Sequence, residues 1–323
     1  MVEPVSTSSN QQRRKISEKY EHLRLIESGF YADLYRGKYR GSKKLYLIKT
    51  LKKATKENYD LFVKEINKLV ALKVHKSPYI LSIFEFDWDP ETYTAYYTMP
   101  NYVSLSFMIM TNSAAWTPQL VQAQAFKVLQ DISNALTVLQ NEEQIAHNYI
   151  NIQNIFYNSK TDHYLLGNLY GSTYFSKAKD TSDLISMTTS NIKTVKQACA
   201  VSPSYFISPE VIDAADNGTN KPEKFFFSDI FSLGFVVVEL IGGINDYHRT
   251  LNLVQNAEDY KKVQTEIWQV LKGRLASEPL VDLLCKMLNK EPDQRPSPKD
   301  IIAEVELLAS LETSKVTFLI FDV

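Results

Sequence analysis

After Pro100 the apolar residues of this 323-residue chain turn from mostly strand-like to helical spacing. That switch limits the folds open to it. From Tyr20 to Thr50 the pattern is strand-like: Leu23, Leu25 and Leu34-Tyr35 lead to a turn at Gly37 to Gly41, and Leu45-Tyr46-Leu47-Ile48 follow. One helix interrupts, because Leu61, Phe62, Ile66, Leu69 and Val70 fall on one face at spacings of three and four. Tyr79 to Phe86 and Tyr93 to Met99 are two further strand-like runs, separated by a turn at Asp89-Pro90. Beyond Pro100 the pattern is helical. Phe126, Leu129, Ile132, Leu136 and Leu139 form an amphipathic stripe, and Phe231 to Ile241 and Val281 to Leu288 are helical as well. A small sheet with one helix, followed by a larger helical half, predicts an α+β protein of two lobes. The expected division is a flexible polar tail at 1–19, a β-rich lobe at 20–100, a helical lobe at 101–312 and an apolar tail at 313–323.

Bulk properties exclude several function classes. An apolar content of 44% is ample for a packed core. Lys+Arg 36 against Asp+Glu 37 leaves a net charge of −1, without the basic excess of a nucleic-acid binder. Cys199 and Cys285 stand far apart, without metal-ligand spacing or a disulfide framework, which suits a reducing cytosol. The first residues are polar and lack the apolar stretch of a signal peptide. The most apolar internal run, Phe235-Val236-Val237-Val238, stops at Glu239, far short of the ~20 residues of a membrane span. The expectation is a cytoplasmic protein with no membrane span.

His147-Asn148-Tyr149-Ile150-Asn151-Ile152-Gln153-Asn154 has the frame H-R-D-L-K-P-x-N of a protein-kinase catalytic loop. Other landmarks occur in the same order. Tyr46-Leu47-Ile48-Lys49 stands where kinases have V-A-I-K, and Glu65 follows on the next helix. Ser208-Pro209-Glu210 matches A-P-E, after a Ser202-Pro203-Ser204-Tyr205 stretch like that of Ser/Thr kinases. Asp229-Ile230-Phe231-Ser232-Leu233-Gly234 and Arg295-Pro296 complete the set. The chain therefore resembles the eukaryotic protein-kinase domain over about residues 20 to 310, a bilobal fold with a small β-rich N-lobe and a larger helical C-lobe. The resemblance implies that Asp229 anchors the catalytic loop, that Arg295 pairs with Glu210, and that Leu69, His147 and Leu169 stack in a column linking the lobes. These are packing roles and speak for the fold. Lys49 and Glu65 would touch nucleotide in an active kinase, but an exposed Lys–Glu pair between strand and helix is also an ordinary ion pair.

Phosphoryl transfer relies on a glycine loop, a Lys, metal ions held by an Asp and an Asn, and a base for the incoming hydroxyl. Each part is altered here. The base position holds Tyr149, a phenol with a pKa near 10 by nature and a poor base at neutral pH. The preceding Arg is Asn148, and the Lys is Asn151. G-x-G-x-x-G-x-V aligns with Glu27-Ser28-Gly29-Phe30-Tyr31-Ala32-Asp33-Leu34, where only Gly29 remains and Glu27 adds negative charge near the phosphates. D-F-G aligns with Asn168-Leu169-Tyr170, or one step on with Leu169-Tyr170-Gly171, and neither register keeps a carboxylate. Two neutral amides, Asn154 and Asn168, are weak magnesium ligands. Leu47 replaces the small Ala over the adenine ring. No displaced carboxylate takes over, since Asp162 falls in a hairpin turn and Asp33 in the wrong part of the loop.

The expected function is that of a pseudokinase, an allosteric partner or scaffold for an active kinase or another signalling protein. The alternatives are an active or weakly active Ser/Thr kinase and a nucleotide switch that needs no metal. If ATP binds, Gly29, Leu34, Leu47, Lys49, Glu65 and Asn154 are its residues. The segment from Asn168 to Ser208 carries Thr181-Ser182, Ser186, Thr188-Thr189-Ser190 and Thr194, all open to phosphorylation, although a solvated loop is the plainer reading. Arg13-Arg14-Lys15-Ile16-Ser17 has the pattern of a site for a basic-directed kinase, one common by chance. The apolar end, Phe318 to Val323, either packs on the domain or offers a strand to a partner.

Overall fold

A computed structural model describes residues 15–29, 32–72, 76–112, 115–169, 172–174, 208–211, 225–256, 260–272, 274 and 277–321. Tyr170-Gly171, Ser202 to Tyr205, Cys199, Arg13-Arg14 and the Ser/Thr run at 181–194 lie outside the described residues.

The small lobe is an antiparallel sheet of β1 (Tyr20–Ser28), β2 (Ala32–Tyr39), β3 (Leu45–Leu51), β4 (Glu85–Asp89) and β5 (Thr94–Pro100), in the order β1-β2-β3-β5-β4. The first turn lies later than its glycines indicate. Gly37 sits inside β2, where a Cβ would come within 2.8 Å of Leu23 and 2.9 Å of Ile48. Gly41, at φ +73, makes the actual bend. Helix α1 (Lys56–Leu72) lies against the sheet. Its buried face is Tyr59, Phe62, Glu65, Ile66, Leu69 and Leu72, so the predicted stripe is rotated: Leu61 is only half-buried and Val70 is 40% exposed. Glu65, three residues after Phe62 and four before Leu69, shares this face and is fully buried.

Residues 79–84 do not extend β4. Leu166 donates its amide to the Tyr79 carbonyl at 2.8 Å, and the Leu81 amide bonds the Leu166 carbonyl at 2.9 Å. Their backbone groups tie the small lobe to a hairpin of the large lobe, which is why β4 starts only at Glu85. That hairpin, β8 (Ile155–Asn158) and β9 (His163–Leu166), pairs with β6 (Val103–Ser104). A second pair joins β7 (Ile145–Ala146) to β10 (Thr173–Tyr174).

The large lobe contains α2 (Leu105–Asn112), α3 (Pro118–Thr137), α4 (Phe225–Asn256), α5 (Tyr260–Lys272), α6 (Glu278–Met287) and α7 (Pro298–Phe321). Thr117 caps α3 by accepting the Leu120 amide, and Pro118 occupies the first turn. The stripe Phe126, Leu129, Ile132, Leu136 and Leu139 is buried as expected. Helix α4 is more apolar than the run 235–238 indicated. Phe225–Gly242 is long and apolar enough by composition to cross a membrane, but 89% of it is buried inside the protein, as befits a core helix. Helix α7 continues as far as Phe321.

Arg295 fastens the lobe. Its guanidinium meets the Glu210 carboxylate in two parallel bonds of 2.6 and 2.9 Å, donates to the Phe227 carbonyl at 2.9 Å, and lies over the Phe231 ring. Its side chain has no exposure. Arg295→Ala leaves Glu210 without its cation, and urea unfolding is expected to show a loss of about 3–5 kcal/mol.

Candidate functional site

The catalytic-loop equivalent hangs from α4. Asp229 accepts the backbone N–H groups of His147 and Asn148, each at 2.8 Å. Burial pushes its carboxyl up to about 7, against the pull of those bonds and of Gln140. His147 is buried and neutral, with burial bringing its pKa down to about 4. Nε2 bonds the Gly167 carbonyl at 3.0 Å and Nδ1 accepts the Tyr149 amide at 3.2 Å. Those partners assign the proton to Nε2. The loop then turns on its own amides. Asn151 Oδ1 accepts the amides of Gln153 and Asn154, and Asn154 Nδ2 donates to the Tyr149 carbonyl at 2.7 Å.

From Asn154 a chain of bonds crosses the cleft. Asn168 Nδ2 donates to Asn154 Oδ1 at 2.7 Å, and Lys49 Nζ donates to Asn168 Oδ1 at 3.2 Å. Lys49 also meets both Glu65 oxygens, at 2.8 and 3.1 Å, and Tyr97 donates its hydroxyl to Glu65 at 2.9 Å. Lys49 and Glu65 have side-chain exposures of 11% and 0%. The pair is therefore no ordinary exposed ion pair: it is buried, and desolvation holds the Lys49 ammonium below its usual range. Asn168 faces the cleft while Leu169 is buried, so Asn168 and not Leu169 takes the Asp position. Leu69, Leu81 and Leu169 share one core, and His147 is buried with them.

Sequence reasoning missed two members of this region. Tyr97 is a polar residue on an inward strand position of β5. Lys68 on α1 donates to Leu169 O at 3.2 Å, Ser172 O at 2.6 Å and Ser172 Oγ at 2.7 Å. Backbone carbonyls more than 100 residues away leave no trace in a sequence.

The fold implies ATP and magnesium, and the residues present do not fit them. Asn154 Oδ1 and Asn168 Oδ1 are neutral, already accept internal hydrogen bonds, and one of them faces an ammonium. No group of three or more His, Cys, Asp or Glu that would hold a metal occurs among the described residues. Gly29 donates its amide to the Ala32 carbonyl at 2.9 Å, closing the loop on itself. Lys52 and Asp33 both bond Ser28 in the same loop, and Asp33 lies there as expected. Burial raises the Glu27 carboxyl, with Lys49 pulling the other way. Leu47 is buried opposite Met99, Leu34 packs on the core, and Phe156 closes the cleft beneath. The cavity that remains, about 90 Å³, is lined by Glu27, Lys49, Tyr97, Met99, Asn154 and Asn168. Asp162 is in the β8–β9 turn, bonded to Tyr157 and Lys127, away from this cleft.

The protein kinase domain model matches residues 20–305. The chain belongs to the protein kinase family. It is 25% identical over 247 residues to a probable inactive leucine-rich repeat receptor-like protein kinase of Arabidopsis thaliana, covering 73% of this chain and 34% of that protein. It is 23% identical over 293 residues to the serine/threonine-protein kinase Nek4 of Mus musculus, covering 88% of this chain and 32% of that protein. The chain thus spans about a third of the length of these curated relatives.

The neutral His147 gives this kinase domain a pH dependence. Its folded pKa, about 4, lies below the 6.5 of an ordinary histidine. As pH falls from 6.5 towards 4 the unfolded chain takes up a proton that the folded one refuses, and stability is lost. Urea midpoints measured between pH 7 and 4 are expected to fall less steeply in His147→Leu than in the wild type. The histidine's share is on the order of 3 kcal/mol.

Proposed function

We propose that this kinase domain does not transfer phosphate and acts as a pseudokinase, a binding partner or scaffold for an active kinase or other signalling protein in the cytoplasm. The observation that carries this reading is the closed chain Tyr149–Asn154–Asn168–Lys49–Glu65. The groups that would grip phosphate and metal grip each other. No carboxylate stands at the base position or at the metal position, and the phosphate loop is bonded to itself. These defects act on different parts of the transition state, so one substitution does not repair them. The relative named as a probable inactive kinase supports the same reading.

The intact Lys49–Glu65 pair favours a second reading, a switch that binds ATP without metal. Thermal unfolding of the chain separates the two. A ligand at one hundred times its dissociation constant adds about 2.7 kcal/mol. The expected result is no shift in melting temperature at millimolar ATP, with or without magnesium, and no phosphotransfer by Tyr149→Asp/Asn168→Asp. A shift indifferent to metal establishes the switch instead, and a shift that grows with magnesium overturns the pseudokinase reading.

A further inference from the structure

Strand β1 leaves its regular register twice, and the first shift sets two arginines against each other. Tyr20 pairs with Tyr39 and Glu21 with Lys38, but the next pair is Arg24 with Arg36. Residues 22 and 23 both stand opposite Gly37, in a bulge where His22 takes φ 54. Uninterrupted pairing would set Leu23 against Arg36. A bulge that re-aims a side chain is a feature that folds retain where the side chain is used.

Directly opposite residues of antiparallel strands lie about 4.5–5.5 Å apart at Cβ, and like charges there repel. Two steps away the same face is balanced, because Lys38 pairs with Glu21 at 2.8 Å and Arg40 approaches it at 3.9 Å. Arg24 and Arg36 have no such carboxylate among the described residues. Arg24 is exposed and Arg36 half-buried, so both are open to a partner. Strand β1 also ends its sheet, with its outer edge unpaired among the described residues. Beside Arg24 on that edge, Leu25 is 48% and Ile26 39% exposed.

We propose that Arg24 and Arg36 form an anion-binding site for a phosphorylated side chain on an extended segment of a protein partner, which adds to the edge of β1. Guanidinium forks match the oxygens of a phosphate in paired hydrogen bonds. A phosphate monoester carries about −1.5 to −2 charge and offsets both arginines, whereas a carboxylate offsets one. The open strand edge and its apolar side chains favour a peptide over a lipid headgroup. Arg36 stands opposite Leu47 on the sheet face that carries Leu34, but neither arginine lines the cavity.

The test uses the full chain and a degenerate peptide library with a fixed central phosphoserine, phosphothreonine or phosphotyrosine, beside the same library without phosphate. The expected result is phosphate-dependent retention that falls at least about tenfold in Arg24→Ala/Arg36→Ala and is unchanged in Lys43→Ala/Lys44→Ala. The double arginine variant is expected to melt at or above the wild type in low salt, because a repulsion has been removed; a purely structural pair would melt lower. Retention that ignores phosphate or survives the loss of both arginines overturns the proposal. So does binding only to vesicles bearing phosphoinositides.

Discussion

The Asp229 carboxyl is the fixed point from which the interior of this domain is built. It holds two successive backbone amides of the loop that begins at His147, and it does so from the buried helix α4. With that loop fixed, His147 presents one nitrogen to the Gly167 carbonyl and the other to the Tyr149 amide. Asn168 follows Gly167 directly and reaches Asn154 and Lys49. Lys49 reaches Glu65 on α1. Position therefore passes from the core of the large lobe to the helix of the small one through protein atoms alone.

The asparagines in this chain of contacts are well suited to a kinase fold without metal. Asn148 and Asn168 have φ of 58° and 63°, a left-handed region that Asn enters more readily than most residues. An amide also donates and accepts, so Asn168 bonds Asn154 with one end and Lys49 with the other. A carboxylate has nothing to donate, and without a metal ion it would face the Asn154 oxygen with its own negative charge. Replacing Asp by Asn at this position turns a metal-dependent contact into a self-sufficient one. Lys68 has a similar effect on the far side, drawing the carbonyls of Leu169 and Ser172 onto α1.

Much of this was legible in the sequence because it depends on residue type at a fixed place. Glu210, Asp229 and Arg295 stand at kinase motif positions, and each makes the bond that the resemblance implies. The change of spacing pointed to a sheet followed by a helical part. What escaped depends on the backbone. Gly37 reads as a turn residue and is in fact a close-packing position in β2. Residues 79–84 read as strand because they are apolar, while the backbones of Tyr79 and Leu81 bond Leu166 of the other lobe. The true length of the apolar stretch in α4 was hidden by Asp229 and Glu239, both buried within it. The exposed look of Lys49 and Glu65 came from treating charge as a surface property, although the helix turns Glu65 inward.

The pseudokinase proposed above would present nearly the same outer surface with or without a small ligand. A ligand shifts a conformational equilibrium only by its differential affinity for the two states, and here the cleft groups that would supply such a difference are already engaged. Binding to a preorganised surface also avoids the ordering cost that weakens flexible interfaces. The β1–β2 pair carrying Arg24 and Arg36 belongs to the same sheet as Lys49 on β3 and is continuous with it through β2. The hydrogen bonds that close the nucleotide cleft therefore also fix the strands on which a partner would rest.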